Sequence, residues 1–196
     1  MQSKSSILDK KFWAICLVSG QLIVIISSFF WKENGRHTIN GSVLVFFSML
    51  FLAIGLIGIF DSLKPKLPVY SRLGLLYVLY GIFGGIAFAF EGLYSDIFNI
   101  SDKIGVEAAK LYPTQLNLVL FWSGPAFPLS LLVLGIVLTR TKLVRWWVGT
   151  LLSVGGVTFP VSRILRIEWL AHLNDLILFI PLCIIAYLFW NTNEAE

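Results

Sequence analysis

Glu168, His172 and Asp175 are spaced i, i+4 and i+7 within an otherwise apolar stretch, and Arg163, Arg166 and Asn174 lie beside them. On a helix these three positions fall within about 60° of one another, because successive residues turn by about 100°. One face then carries two carboxylates and an imidazole. Three chemistries fit that set. Carboxylates and imidazole are ligand types that suit Zn²⁺. A carboxyl disfavoured as a charge by burial can take part in proton transfer. The two arginines can hold an anionic head group such as a phosphate or carboxylate. The competing reading is an ion-pair network in which Arg163 and Arg166 neutralise Glu168 and Asp175 and pin two helices together. It is the more economical, since such networks perturb charges as catalytic sites do.

Other residues add little chemistry. Glu91 closes an apolar run on the same predicted side, where it is placed to complete a polar mouth with Arg163. Pro125 and Pro128 follow Trp122-Ser123-Gly124 in the longest apolar run, and each removes a backbone donor there. The expected result is a kinked or locally opened helix whose freed carbonyls line a cavity or serve packing. His37 and His172 are the two histidines, thin support for paired haem ligation. Cys16 and Cys183 fall in apolar runs as packed thiols. Asn40-Gly41-Ser42 and Asn99-Ile100-Ser101 match the acceptor pattern for N-glycosylation, which matters only in a secretory-pathway host. There is no Walker motif, no His-Glu-x-x-His, no Gly-x-Ser-x-Gly and no Cys/His cluster, so no metal and no cofactor are assigned. No lysine falls within an apolar run, which argues against a retinal Schiff base, and no arginine ladder suggests a voltage sensor.

The elements that must position these groups are membrane spans. Hydrophobic residues make up 57% of the chain and charged residues 13%, with a mean hydropathy of +0.83. A soluble domain carries about 25% charged residues. Helices rising about 1.5 Å per residue need roughly 20 apolar residues to cross about 30 Å of hydrocarbon. Six runs qualify: 12–31, which holds Gln21 but no charge, then 42–60, 73–90, 116–139, 146–162 and 169–190. Trp13, Trp31, Trp146, Trp147, Trp169 and Trp190 stand at their ends, where indoles favour the headgroup layer. The expected fold is an all-α membrane protein, an antiparallel bundle of six transmembrane helices forming one domain. The first run is read as a retained helix, because its apolar region is long and no small-x-small cleavage site follows it. The connector 91–115 is the one long loop, with Ser101 placed to cap a short interfacial helix over 102–111. The turn before the last span is set near Arg166 to Glu168.

Gly81, Gly84 and Gly85, with Gly55 and Gly58, read as surfaces for close helix approach. Gly84-Gly85-Ile86-Ala87-Phe88 echoes Gly155-Gly156-Val157-Thr158-Phe159, a hint of a duplicated hairpin.

Lys and Arg set orientation. With the N-terminus inside, nine (Lys4, Lys10, Lys11, Lys64, Lys66, Arg72, Arg140, Lys142, Arg145) fall in inner segments and six (Lys32, Arg36, Lys103, Lys110, Arg163, Arg166) in outer ones. Both termini are therefore expected in the cytoplasm, in a multi-pass protein of the cell membrane. The net charge of +4 sits in short loops as an orientation signal and not as a nucleic-acid surface. The functional expectation is a protein that binds or moves a small molecule or lipid in an outer-facing polar cavity lined by Arg163, Arg166, Glu168, His172, Asp175 and Glu91. The alternatives are a membrane-embedded enzyme acting on a lipid head group, and an accessory subunit of a partner membrane protein.

Overall fold

The computed structural model describes residues 6–32, 37–165 and 167–191. Helix α1 (Ile7–Ser27) starts at a reciprocal cap, in which Ser6 Oγ accepts from the Asp9 amide and the Asp9 carboxylate accepts from the Ser6 amide. A 3₁₀ turn, Ser28–Phe30, extends it. Thr38 caps α2 (Ile39–Leu63), and Pro68, which has no amide to lose, opens α3 (Pro68–Ile97). A short helix α4 (Asp102–Leu111) is capped by Ser101, and α5 (Pro113–Leu116) runs through a π turn, Asn117–Phe121, into α6 (Ser123–Arg140). Helices α7 (Trp146–Ile164) and α8 (Glu168–Trp190) follow. Among the described residues extended pairing is limited to an antiparallel bridge between Trp31 and His37.

Among the described residues, five stretches are long and apolar enough to cross a membrane: Ile7–Phe30, Ile39–Leu63, Pro68–Ile97, Pro113–Arg140 and Glu168–Trp190. Helix α7, with 19 residues, falls outside that set and is held by packing between α6 and α8. Leu22, Phe47, Leu76, Phe83, Ile136 and Ile180 point outward, while Leu17, Leu52, Ile59, Ile82, Leu134 and Leu178 are buried. An apolar outside around an apolar core marks an all-α membrane bundle.

The long helices form a closed ring. Each of α1, α2, α3, α6, α7 and α8 packs on the next, and α8 returns to α1. The pairing is antiparallel throughout: Gly20 meets Leu52, Gly85 meets Met49, Gly84 meets Ser123, Gly156 meets the Pro128 carbonyl and Gly155 meets Leu178. Across the closing seam, Trp13 packs on Phe189 and Gln21 reaches the Asp175 backbone. The two Gly-Gly pairs are disposed alike. In α3 and in α7 the first glycine faces the following helix of the ring and the second faces the preceding one.

Polarity is sorted by depth. At the end of the ring opposite the start of α1, here the distal end, Ser27, Ser28, Ser42, Ser95, Ser123, Ser162, Asn174 and Asp175 are buried. At the other end the core is Ile59, Phe60, Leu63, Leu138, Leu182 and Ile185. Buried polar side chains thus gather at the distal end, above a mainly apolar core in which Ser71 donates to the Phe60 carbonyl.

Two details depart from the sequence reading. Helix α3 is longer than the run 73–90, so Glu91 lies on a helix and not in a loop. At 30 residues it is about 45 Å long, beyond the roughly 30 Å of hydrocarbon, and its polar end can emerge into the headgroup layer. The opening of the fourth run lies upstream of the prolines, in the π turn, where the Trp122 amide reaches the Asn117 carbonyl at 2.8 Å. The carbonyls of Leu118, Val119 and Leu120 are taken by side chains, the first by the Tyr80 hydroxyl and the other two by Ser123 Oγ at 2.6 and 3.0 Å. Leu118, Val119, Phe121 and Trp122 face outward. These carbonyls are satisfied by neighbouring side chains.

Candidate functional site

The site forms at the distal elbow between α7 and α8. Arg163 sits in the last turn of α7, where the helix dipole favours a cation, and Glu168 in the first turn of α8, where it favours an anion. Arg163 Nη2 donates to Asp175 Oδ1 at 2.7 Å, joining the two helices. The Asp175 side chain has 0% of its surface exposed. The guanidinium lies 4.8 Å from the ring centre of Trp31 and 4.9 Å from that of Phe159, so aromatic faces stand where water would. Phe159 in turn packs edge-on against Phe127 of α6, which is how the fourth run reaches the site.

This ion pair has one hydrogen bond where a guanidinium and a carboxylate can make two. Among the described residues, Arg163 Nη1 and Asp175 Oδ2 are buried with no hydrogen-bond partner, and the same holds for Asn174 Nδ2, His37 Nδ1 and Ser42 Oγ. Asn174 Oδ1 accepts from the Thr158 hydroxyl at 2.5 Å, and the Asp175 carbonyl accepts from Gln21 Nε2 at 3.0 Å. Helices α1, α7 and α8 are therefore tied together by polar contacts at one level, with five buried polar atoms left over among the described residues.

His172 follows the same face of α8 outward. Its ring stacks on Phe29, with centroids 4.4 Å apart, and its Nδ1 lies 3.1 Å from Ser28 Oγ. Because that hydroxyl donates to the Ile25 carbonyl at 2.8 Å, Nδ1 is the donor to Ser28, and the ring carries its proton there. The Ser28 hydroxyl also neighbours the Asp175 carboxyl. A Ser–His contact suggests a nucleophile, but Ser28 is 1% exposed and its hydroxyl is engaged. Glu168 Oε1 stands 3.7 Å from His172 Nε2, too far to orient it by a hydrogen bond.

His37 was grouped with His172 by residue type, and the structure gives each its own partner. Trp31 Nε1 donates to His37 Nε2 at 3.3 Å, which makes Nε2 the acceptor and leaves the proton on Nδ1. Burial first, and then the charge of Arg163, push its pKa down to about 4, with the Ser27 backbone opposing. His37 is a neutral imidazole beside a cation.

The candidates from the sequence divide accordingly. Arg163, His172 and Asp175 come together. Glu168 stands above them, with its side chain 70% exposed. Arg166 lies outside the described residues. Glu91 belongs to another feature: it accepts from the Ser95 hydroxyl at 3.2 Å and lines a shallow groove of about 560 Å³ between α3 and the α5–π segment, with Phe90, Tyr94, Gln115 and Val119. Among the described residues no group of three or more His, Cys, Asp or Glu side chains is placed to hold a metal ion. The sequence reading missed Trp31, Phe159, Ser28 and Asn174's partner Thr158. Gln21, a lone amide in an apolar run, was the one available signal that α1 meets α8 at a polar level. Comparison with protein-family models, curated proteins and solved structures finds no match for this chain.

Proposed function

We propose that this chain is a six-span protein of the cell membrane, with both termini in the cytoplasm, that binds a small polar molecule or lipid head group at the distal polar cluster, on the outward side. The observation that supports this reading is the half-satisfied Arg163–Asp175 pair. Leaving a polar group buried without a partner costs about 1–3 kcal/mol, more for a charged one. A ligand group that accepts from Arg163 Nη1 and donates to Asp175 Oδ2 removes both costs at once. A hydroxyl or a primary amide does this. An anion would meet Nη1 well but would be repelled at Oδ2, so Asp175 selects against the phosphate and carboxylate ligands that the arginines alone suggest. The depth sorting fits the same reading, since a mainly apolar core beneath the cluster keeps a ligand on the distal side. For six spans and the orientation, the support is the ring position of α7 and the nine Lys and Arg of the inner segments.

The test is native mass spectrometry of protein released from mild detergent, with phosphatidylglycerol, which carries hydroxyls, and phosphatidic acid, which carries an anionic phosphate head, supplied in parallel. The expected result is a retained phosphatidylglycerol adduct that is lost in Arg163→Gln, with weaker retention of phosphatidic acid. Equal adducts in wild type and variant would mean that the pair only clamps α7 to α8.

A further inference from the structure

Four side chains stand in succession from the distal surface into the bundle: exposed Glu168, 3.7 Å from His172, then His172, 3.1 Å from Ser28, then Ser28 beside fully buried Asp175. Two of the links cross the seam between α8 and α1. Every member can hold or pass a proton, and the last has a carboxylate oxygen, Oδ2, with no hydrogen-bond partner among the described residues. We infer that this line is a proton relay that loads Asp175 from the distal face, which makes the state of the Arg163–Asp175 pair dependent on protons. The inference rests on the same pair as the function proposed above, but not on ligand binding.

The step balances as a shuttle. A proton taken up at His172 Nε2, beside the Glu168 carboxylate, makes an imidazolium. The imidazolium gives its Nδ1 proton to Ser28 Oγ while the Ser28 hydroxyl turns from the Ile25 carbonyl and passes its proton to the Asp175 carboxylate. Ser28 ends as it began, His172 ends as the other neutral tautomer, and one proton has moved inward. The reverse sequence resets the line when Asp175 releases its proton. The groups facing Asp175 are Arg163 from α7, neutral Gln21 from α1, Ser28 from the 3₁₀ turn after it, and His172 on its own helix, while His37, from the connection before α2, faces Arg163. Protonation of Asp175 removes the charge that holds Arg163 against α8, so the elbow loosens when the relay is loaded.

The experiment is time-resolved infrared difference spectroscopy on the full chain in detergent after a rapid drop in pH, following the stretch of a protonated carboxyl. The expected result is a band that is absent in Asp175→Asn and rises more slowly in Ser28→Ala, by roughly a hundredfold, the usual size of a lost proton-transfer partner. Ser28→Ala leaves the ion pair in place, so the test stands even if Asp175→Asn fails to fold. A band that rises equally fast in wild type and Ser28→Ala, or no such band at any pH at which the protein stays folded, overturns the relay. Protein that loads Asp175 but holds no phosphatidylglycerol keeps the relay and removes the binding function, and the converse result does the opposite.

Discussion

Removing one half of the Arg163–Asp175 pair leaves the other charge buried and uncompensated, a change that costs about 3–5 kcal/mol in buried pairs. Asp175→Ala and Arg163→Ala are each expected to lower the thermal unfolding temperature in detergent sharply. Replacing both by leucine should recover most of the loss, because apolar side chains substitute for a buried pair at little cost. A double variant no more stable than the singles would show that the two do not act as a pair. His37 adds an acid limit. Its folded pKa of about 4 lies below the ordinary 6.5, so the unfolded chain binds the proton first. Its contribution to stability is complete above pH 6.5 and is lost as the pH falls through 6.5 toward 4. His37→Gln is expected to flatten the unfolding temperature over that window relative to wild type, and an unchanged slope would refute the assignment. At this scale the sequence was informative along one helix and silent across helices. The spacing of His172 and Asp175 follows from 3.6 residues per turn, so their shared face was readable. The exposure of Glu168 and the sandwiching of Arg163 by Trp31 and Phe159 depend on how α7 and α8 are rotated against α1, and no local pattern carries that.

Helix packing in this bundle depends on backbone approach, because lipid tails are as apolar as the side chains they would replace. One close approach joins α6 and α7, where a methyl on Gly149 would overlap the Gly135 carbonyl and the Thr139 hydroxyl. Gly149→Val is expected to destabilise by about 1–3 kcal/mol, the usual cost of overpacking. Gly124, which has open space around its α-carbon, serves as the control: Gly124→Ala should be neutral or gain up to about 1 kcal/mol of helix propensity. Thermal unfolding of both variants checks the pair, and equal effects would show that the crossing is not tight. The elements themselves were legible because runs of this apolarity have only one compact solution in lipid. Their ends were less so. Glu91, Ser95 and Asp96 read as loop residues by polarity, yet they continue α3, because a helix that leaves the hydrocarbon no longer needs apolar side chains. The opening in the fourth run was assigned to Pro125 and Pro128, whereas the π turn lies just before them, where Tyr80 and Ser123 supply the hydrogen bonds that the backbone gives up.

For the molecule as a whole, the proposed orientation puts α4 outside and the α6–α7 connection inside. With Cys16 and Cys183 replaced by alanine, Lys103→Cys is expected to react with a membrane-impermeant maleimide in intact cells and Lys142→Cys only after permeabilisation. The reverse pattern would invert the bundle and place the site on the cytoplasmic side. The closed ring was not readable from the sequence, since the contact that closes it joins the first helix to α8. That contact also orders events during synthesis. A ribosome delivers α1 early and α8 late, so α1 waits in the bilayer with Gln21 and Ser28 lacking their partners while the intervening helices insert. Arg163 enters without a counter-ion and keeps none until Asp175 follows. The distal polar cluster is thus the last part of the bundle to be completed. Until then the nascent bundle carries a naked guanidinium and a loose amide at membrane depth, the kind of mark by which a quality-control protease or chaperone can tell an unfinished membrane protein from a finished one.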